Sequence, residues 1–186
     1  INDLHFFLNN CNGIAGPFNA SINLESNRII LDTINGKWGD GRLSGTADIL
    51  LSTSAIEDIN SRINIQDLSI SCMDAVRVGI EDAVARIYKT GNSYLLDARI
   101  KLIDSRVERI FTISELFDAF TEGRRGPSMP PALLQNTKLN TEIDLNSNFL
   151  IDSNLGRFLL DGKMSISGSA ARPYFNGVLN IEEGRV

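Results

Sequence analysis

The segment Phe18-Asn19-Ala20-Ser21-Ile22-Asn23-Leu24-Glu25 alternates apolar and polar residues without interruption. A strand sends successive side chains to opposite faces, whereas a helix returns to one face every 3.6 residues. The pattern therefore predicts a half-buried strand with one apolar and one wet face. It returns in Leu43, Gly45, Ala47, Ile49 and Leu51, in Ile63 and Ile65, in Leu68, Ile70 and Cys72, and in Val76, Val78 and Ile80. Leu96, Ala98, Ile100 and Leu102 then face away from Asp97, Arg99, Lys101 and Ile103, and Val107, Phe111 and Ile113 repeat the theme. Leu139, Thr141, Ile143 and Leu145 resume it, followed by Phe149 with Ile151, Met164 with Ile166, and Phe175 with Gly177, Leu179 and Ile181. The chain reads as all-β.

Turn signals separate these runs at Asn35-Gly36, Gly39-Asp40-Gly41, Thr90-Gly91-Asn92, Asp161-Gly162 and Ala171-Arg172-Pro173, which predicts mostly antiparallel hairpins. Ile113, Leu116, Phe117 and Phe120 instead share a helical face behind a possible N-cap at Ser114, so one short helix is expected near residues 113–121. The Gly- and Pro-rich stretch from Gly123 to Pro131 ends it. Residues 1–120 then form a first β segment, 121–131 a connection, and 132–186 a second β segment able to share one sheet with the first. Gly41-Arg42-Leu43-Ser44-Gly45-Thr46-Ala47 resembles the Gly162–Ala170 stretch, which suggests a strand unit repeated along one axis.

Composition narrows the function classes. With 186 residues, 42% of them hydrophobic and 22% charged, the chain has ordinary globular content. A net charge of −5 argues against nucleic acid, whose phosphates call for clustered Lys and Arg; the one basic pair, Arg124-Arg125, reads as a solvated loop. No run approaches the ~20 apolar residues of a membrane-spanning helix. Ile1–Asn10 lack the features of a signal peptide, and Glu183-Gly184-Arg185-Val186 reads as the beginning of a strand. The chain is therefore read as a fragment of a longer protein whose anchor lies elsewhere.

Few residues suggest chemistry. His5, the single histidine, stands beside Phe6 and Phe7, a poor context for a catalytic triad. Glu57-Asp58 and Glu182-Glu183 occupy turns or wet faces without EF-hand spacing, and Gly36-Lys37-Trp38-Gly39-Asp40-Gly41 lacks the Gly-Lys-Ser/Thr ending of a phosphate loop. Trp38 and Tyr174 read as local packing. Cys11 and Cys72 have no metal-type spacing; free thiols are the favoured reading, and pairing in an oxidising compartment is the alternative. No enzyme activity, metal or cofactor is expected.

The most specific pattern lies in the last third, Leu160-Asp161-Gly162-Lys163-Met164-Ser165-Ile166-Ser167-Gly168-Ser169 followed by Arg172-Pro173-Tyr174-Phe175-Asn176-Gly177-Val178-Leu179-Asn180-Ile181-Glu182-Glu183-Gly184-Arg185-Val186. It resembles the TamB family, in which a strand runs from one Gly to a second, a Pro opens the next strand, and a Gly-x-apolar-x-apolar-x-x-Gly ending follows. Gly162, Gly168, Pro173, Gly177 and Gly184 take those places. Asn140–Leu145 and Asn148–Ile151, entered from Pro130-Pro131, resemble the strand that precedes this unit; residues 16–52 match more loosely, and Thr53 to Gly123 only in general β character.

The resemblance, which extends to the AsmA-like group, implies an elongated periplasmic sheet curled lengthwise into a trough with an apolar concave face. It implies tethering to the inner membrane outside this fragment and an outer-membrane barrel partner that also engages elsewhere. The implied work is phospholipid transport between the membranes, outer-membrane protein assembly, or both, with acyl chains or nascent outer-membrane β-strands as cargo. Leu43, Ala47, Ile49, Ile63, Ile65, Leu96, Ile100, Leu102, Ile143, Leu145, Met164, Ile166, Leu179 and Ile181 are then the expected groove lining. The competing reading is a surface adhesin or scaffold of the β-solenoid type, in which the same residues form a closed core.

Overall fold

The computed structural model describes residues 4–7, 11–12, 14–53, 55–72, 75–109, 132–145 and 149–185. The strands are β1 Leu4–Phe7, β2 Cys11–Asn12, β3 Ile14–Glu25, β4 Arg28–Trp38, β5 Gly41–Leu51, β6 Ile56–Cys72 and β7 Val76–Thr90. Then come β8 Ser93–Leu102, β9 Ser105–Arg109, β10 Thr137–Asp144, β11 Phe149–Ser153, β12 Gly156–Ser169 and β13 Arg172–Arg185. A single short helix, α1 (Ala132–Asn136), is described; the helix expected near 113–121 and the connection 121–131 lie outside the described residues.

All of these strands belong to one sheet. From β3 to β8 each strand pairs antiparallel with the next, as alternating runs separated by turns should. After β9 the pairing changes: β10 lies parallel to β8 and β11 parallel to β9. β10 and β11 share one side of β12, and β13 covers the other. These parallel pairings join β10 and β11 to the earlier strands in one sheet. Helix α1 sits where the second segment starts, with the carbonyl of Leu134 accepting a hydrogen bond from the Ala171 N–H at 3.2 Å.

Irregularities in the ladder keep the apolar residues in phase. Strict alternation from Ile65 would send Leu68 to the wet side. Asp67, with φ 54, breaks the strand conformation, and Leu68 sits beneath Gly41 on the same side as Leu43. Register shifts between Leu31 and Ile34 in β4 and between Ile80 and Asp82 in β7 do the same for Ile34 and Ala83. β8 and β9 are in effect one long strand interrupted at Ile103 and Asp104.

At that interruption the side chain of Ser105 takes over from the ladder. Its Oγ accepts the Gly79 N–H at 3.1 Å and lies 3.2 Å from the Gly79 carbonyl and 3.3 Å from that of Ile103, either of which can receive its proton. Ser105 is 1% exposed. Ser105→Ala therefore leaves a buried amide without this acceptor and is expected to lower unfolding stability by about 1–3 kcal/mol, read from the urea midpoint.

Some local readings need correction. Asn35-Gly36 is no turn: both residues lie within β4, and Gly36 stands opposite Phe18, whose ring occupies the space a Cβ would fill. Asp161-Gly162 likewise lies inside β12. Gly162 has φ +145 and packs so close to β13 that a Cβ would fall 2.1 Å from the Val178 carbonyl oxygen. In both places glycine serves close approach between strands rather than reversal of the chain. Glu183–Arg185 close β13 instead of opening a new strand. The turns at Gly39-Asp40 and Gly91-Asn92 lie where their composition put them.

Candidate functional site

Directly opposed residues of neighbouring strands share a face, so the register identifies the residues on each side of the sheet. One row runs Leu43, Ile65, Ala83, Ile100, Ile143, Met164, Gly177 across seven strands. The adjacent row runs Gly45, Ile63, Ala85, Ala98, Thr141, Ile166, Phe175. At ~4.8 Å per strand each spans roughly 30 Å. A third row carries Ala47, Ser61, Ile87, Leu96 and Leu139. Ile49 faces Ile59, Leu102 faces Ile80, Leu179 faces Gly162 and Ile181 faces Leu160. Leu145 follows Ile143 by two positions on the same side, its N–H bonded to the Gly162 carbonyl at 3.0 Å. The register thus brings every residue expected in the groove to one face.

That face is larger than the expected set. Phe149, Ile151, Phe158 and Leu160 extend it to the far end of the sheet, opposite Ser105 and Val107 of β9. Phe18, Ile34 and Ile29 carry it toward the other edge. Alternation marked several of these positions as strand residues. That they join the same face depends on which strands pair.

Exposure varies systematically across the face. Phe18, Leu68, Ala83, Ala98, Leu145 and Leu160 are buried, as are the polar Ser61, Ser105 and Thr141, and all of them stand on the apolar side. The edges are open: Leu24 in β3 is 71% exposed, and in β13 Phe175 and Ile181 are each 64% exposed. Central positions shielded by their neighbours and apolar side chains standing free at the rims fit a sheet curled toward its apolar side.

The opposite face carries the charged residues, with Ile30, Val84, Leu95, Leu150 and Leu159 between them, and is laced with ion pairs between neighbouring strands. Arg28 of β4 grips Asp48 of β5 through two hydrogen bonds of 2.7 and 2.5 Å, and Arg99 of β8 meets Glu142 of β10 at 3.2 Å. Lys101 meets Glu81 at 2.8 Å, and Arg106 meets Asp152 at 3.1 Å. The bonds from Arg28 hold the Asp48 carboxyl below its ordinary range, and the bond to Glu81 raises the Lys101 ammonium. These pairs are exposed to water and contribute little to stability; they mark the wet side of the sheet. A hollow on this side, lined by Arg106, Arg157, Glu183 and Arg185 among others, mixes both signs of charge.

These features define a class: a long single-sheet β protein with one continuous apolar face, one charged face and open apolar rims. The chain matches the family model of the TamB C-terminal domain over residues 31–186, and it belongs to that family. No curated protein and no solved structure matches it. TamB proteins are envelope-associated components of transport and outer-membrane assembly and are not an enzyme family. Among the described residues no helix is long and apolar enough to cross a membrane.

Proposed function

We propose that this chain is a periplasmic trough segment of a longer TamB-like protein anchored to the inner membrane, and that its apolar face carries phospholipid acyl chains toward the outer membrane. The continuity of the rows through Ile100 and Ala98 supports this reading: apolar or small side chains follow one another from β5 to β13 with Thr141 as the one hydroxyl in the two central rows. An acyl chain laid along such a face gains about 0.8 kcal/mol for each methylene removed from water. The head group stays in water at the rim, so transport calls for no head-group pocket, only an unbroken apolar path.

The exposed aromatic and aliphatic side chains of β13 favour lipid entry at that rim, because isolated soluble proteins seldom leave such a patch bare. Nascent outer-membrane strands would instead pair through the backbone of an edge strand. The two cargoes separate in one experiment. A photo-crosslinking residue placed at Ile100 or Met164 in the full-length protein is expected to capture phospholipid, and the same residue at Arg99 or Ser165 on the charged face is not. Equal lipid capture on both faces, or protein adducts along β13 with no lipid at Ile100 and Met164, would refute the lipid reading.

A further inference from the structure

Cys11 and Cys72 are the only cysteines of the chain and lie far apart in sequence. The sheet nevertheless sets them directly opposite one another, in β2 and at the end of β6, with Asn12 opposite Ser71 as the next rung. Opposed residues of an antiparallel ladder have Cα atoms about 4.5 or 5.5 Å apart, according to whether the rung is hydrogen-bonded. Disulfides bridge Cα separations of about 4.4–6.8 Å, so a bond can close across this rung without displacing either backbone.

The surroundings give such a bond a purpose. β5 pairs with β6 only as far as the rung of Arg42 and Gln66, and β6 continues to Cys72 with β7 on its other side. β2 pairs with that extension, yet it is two residues long and no hairpin turn ties it to β6. Two residues of ladder hold weakly, and losing them would bare an edge of β6. We infer that Cys11 and Cys72 form an intramolecular disulfide that fastens β2 to the sheet in an oxidising compartment. The thiolate of one cysteine attacks the disulfide of a thiol–disulfide oxidant, and the second displaces the oxidant from the mixed disulfide. The two thiols lose two protons and two electrons, and the oxidant leaves as its dithiol. The compartment rests on the periplasmic reading above; the pairing itself rests on the register.

Purified chain from an exporting and from a cytosolic expression system tests this by thiol alkylation and peptide mapping. The exported chain is expected to resist alkylation and to yield a cross-linked peptide pair containing Cys11 and Cys72; the cytosolic chain is expected to take two alkyl groups and to gain the same link on treatment with oxidised glutathione. Reduction should lower the melting temperature of the linked chain by about 10 °C, as expected for closing a loop of some 60 residues, and should leave the Cys11→Ser/Cys72→Ser variant unchanged. Two free thiols in folded, glutathione-treated chain, or a link between two chains, would overturn the pairing. Linkage by glutathione alone, with free thiols in the exported chain, would instead overturn the oxidising compartment and leave the pairing standing.

Discussion

Replacing Ile143 or Ile100 with Asp is expected to impair outer-membrane integrity in cells carrying the full-length protein while the domain remains folded. The two residues stand opposite each other in β10 and β8, and Ile143 faces Met164 on its other side. An ionised carboxylate there interrupts the apolar path at its centre, because an acyl chain cannot pass without stripping water from the charge. Losing contact with as few as two methylenes removes about 1.6 kcal/mol, more than tenfold in occupancy. Both isoleucines are only half-buried, so the new carboxylate keeps some water and the sheet is expected to hold together. Entry of a bulky antibiotic reports the envelope defect, lipid crosslinking at Met164 reports the path, and circular dichroism reports the fold. Glu142→Ala, on the charged face, serves as the control. Folded Asp variants with a normal envelope and normal lipid capture would remove the basis for the proposed transport.

Gly79→Ala is expected to destabilise the sheet strongly. A Cβ at this position would lie 1.9 Å from the carbonyl oxygen of Ile103. Neither atom can swing aside, because the Ile103 N–H donates to the Gly79 carbonyl at 2.9 Å and the Ser105 hydroxyl is bonded to the same residue. Relief demands that β7 and the junction of β8 with β9 part, at an expected cost of about 3 kcal/mol or more. Gly91→Ala separates steric clash from backbone strain. Gly91 has φ +59 but nothing within 4 Å of its added Cβ, so only the left-handed conformation resists alanine, at about 1–2 kcal/mol. Chemical denaturation of the two variants measures both terms. Equal midpoints would mean that the strands are free to separate at Gly79.

Much of the fold was legible because period-two alternation is a local property. Phe18 to Glu25, Leu43 to Leu51 and Leu139 to Leu145 announce strands whatever they pair with, and the glycine spacing from Gly162 to Gly184 carries the family resemblance into a chain whose family match extends over residues 31–186. The two misread turns share one cause. Gly36 and Gly162 look like turn residues in isolation, yet their lack of a side chain answers to Phe18 and to the Val178 backbone, both on neighbouring strands. The parallel pairing of β10 with β8 left no local mark either, since a parallel ladder is set by a connection rather than by a turn motif.

The sequence by itself determined the strand character of the chain, the two-sidedness of each strand and the absence of a catalytic motif, since these follow from the order and type of side chains. Tertiary structure decided that the apolar sides all coincide. Asp67 and the register shifts in β4 and β7 restore the phase that simple alternation would lose, and the parallel register of β10 on β8 aligns Ile143 with Ile100 instead of with a polar neighbour. The physical reason is that alternation assigns a residue to a side of its own strand, whereas only hydrogen-bonded register between strands makes those sides one surface.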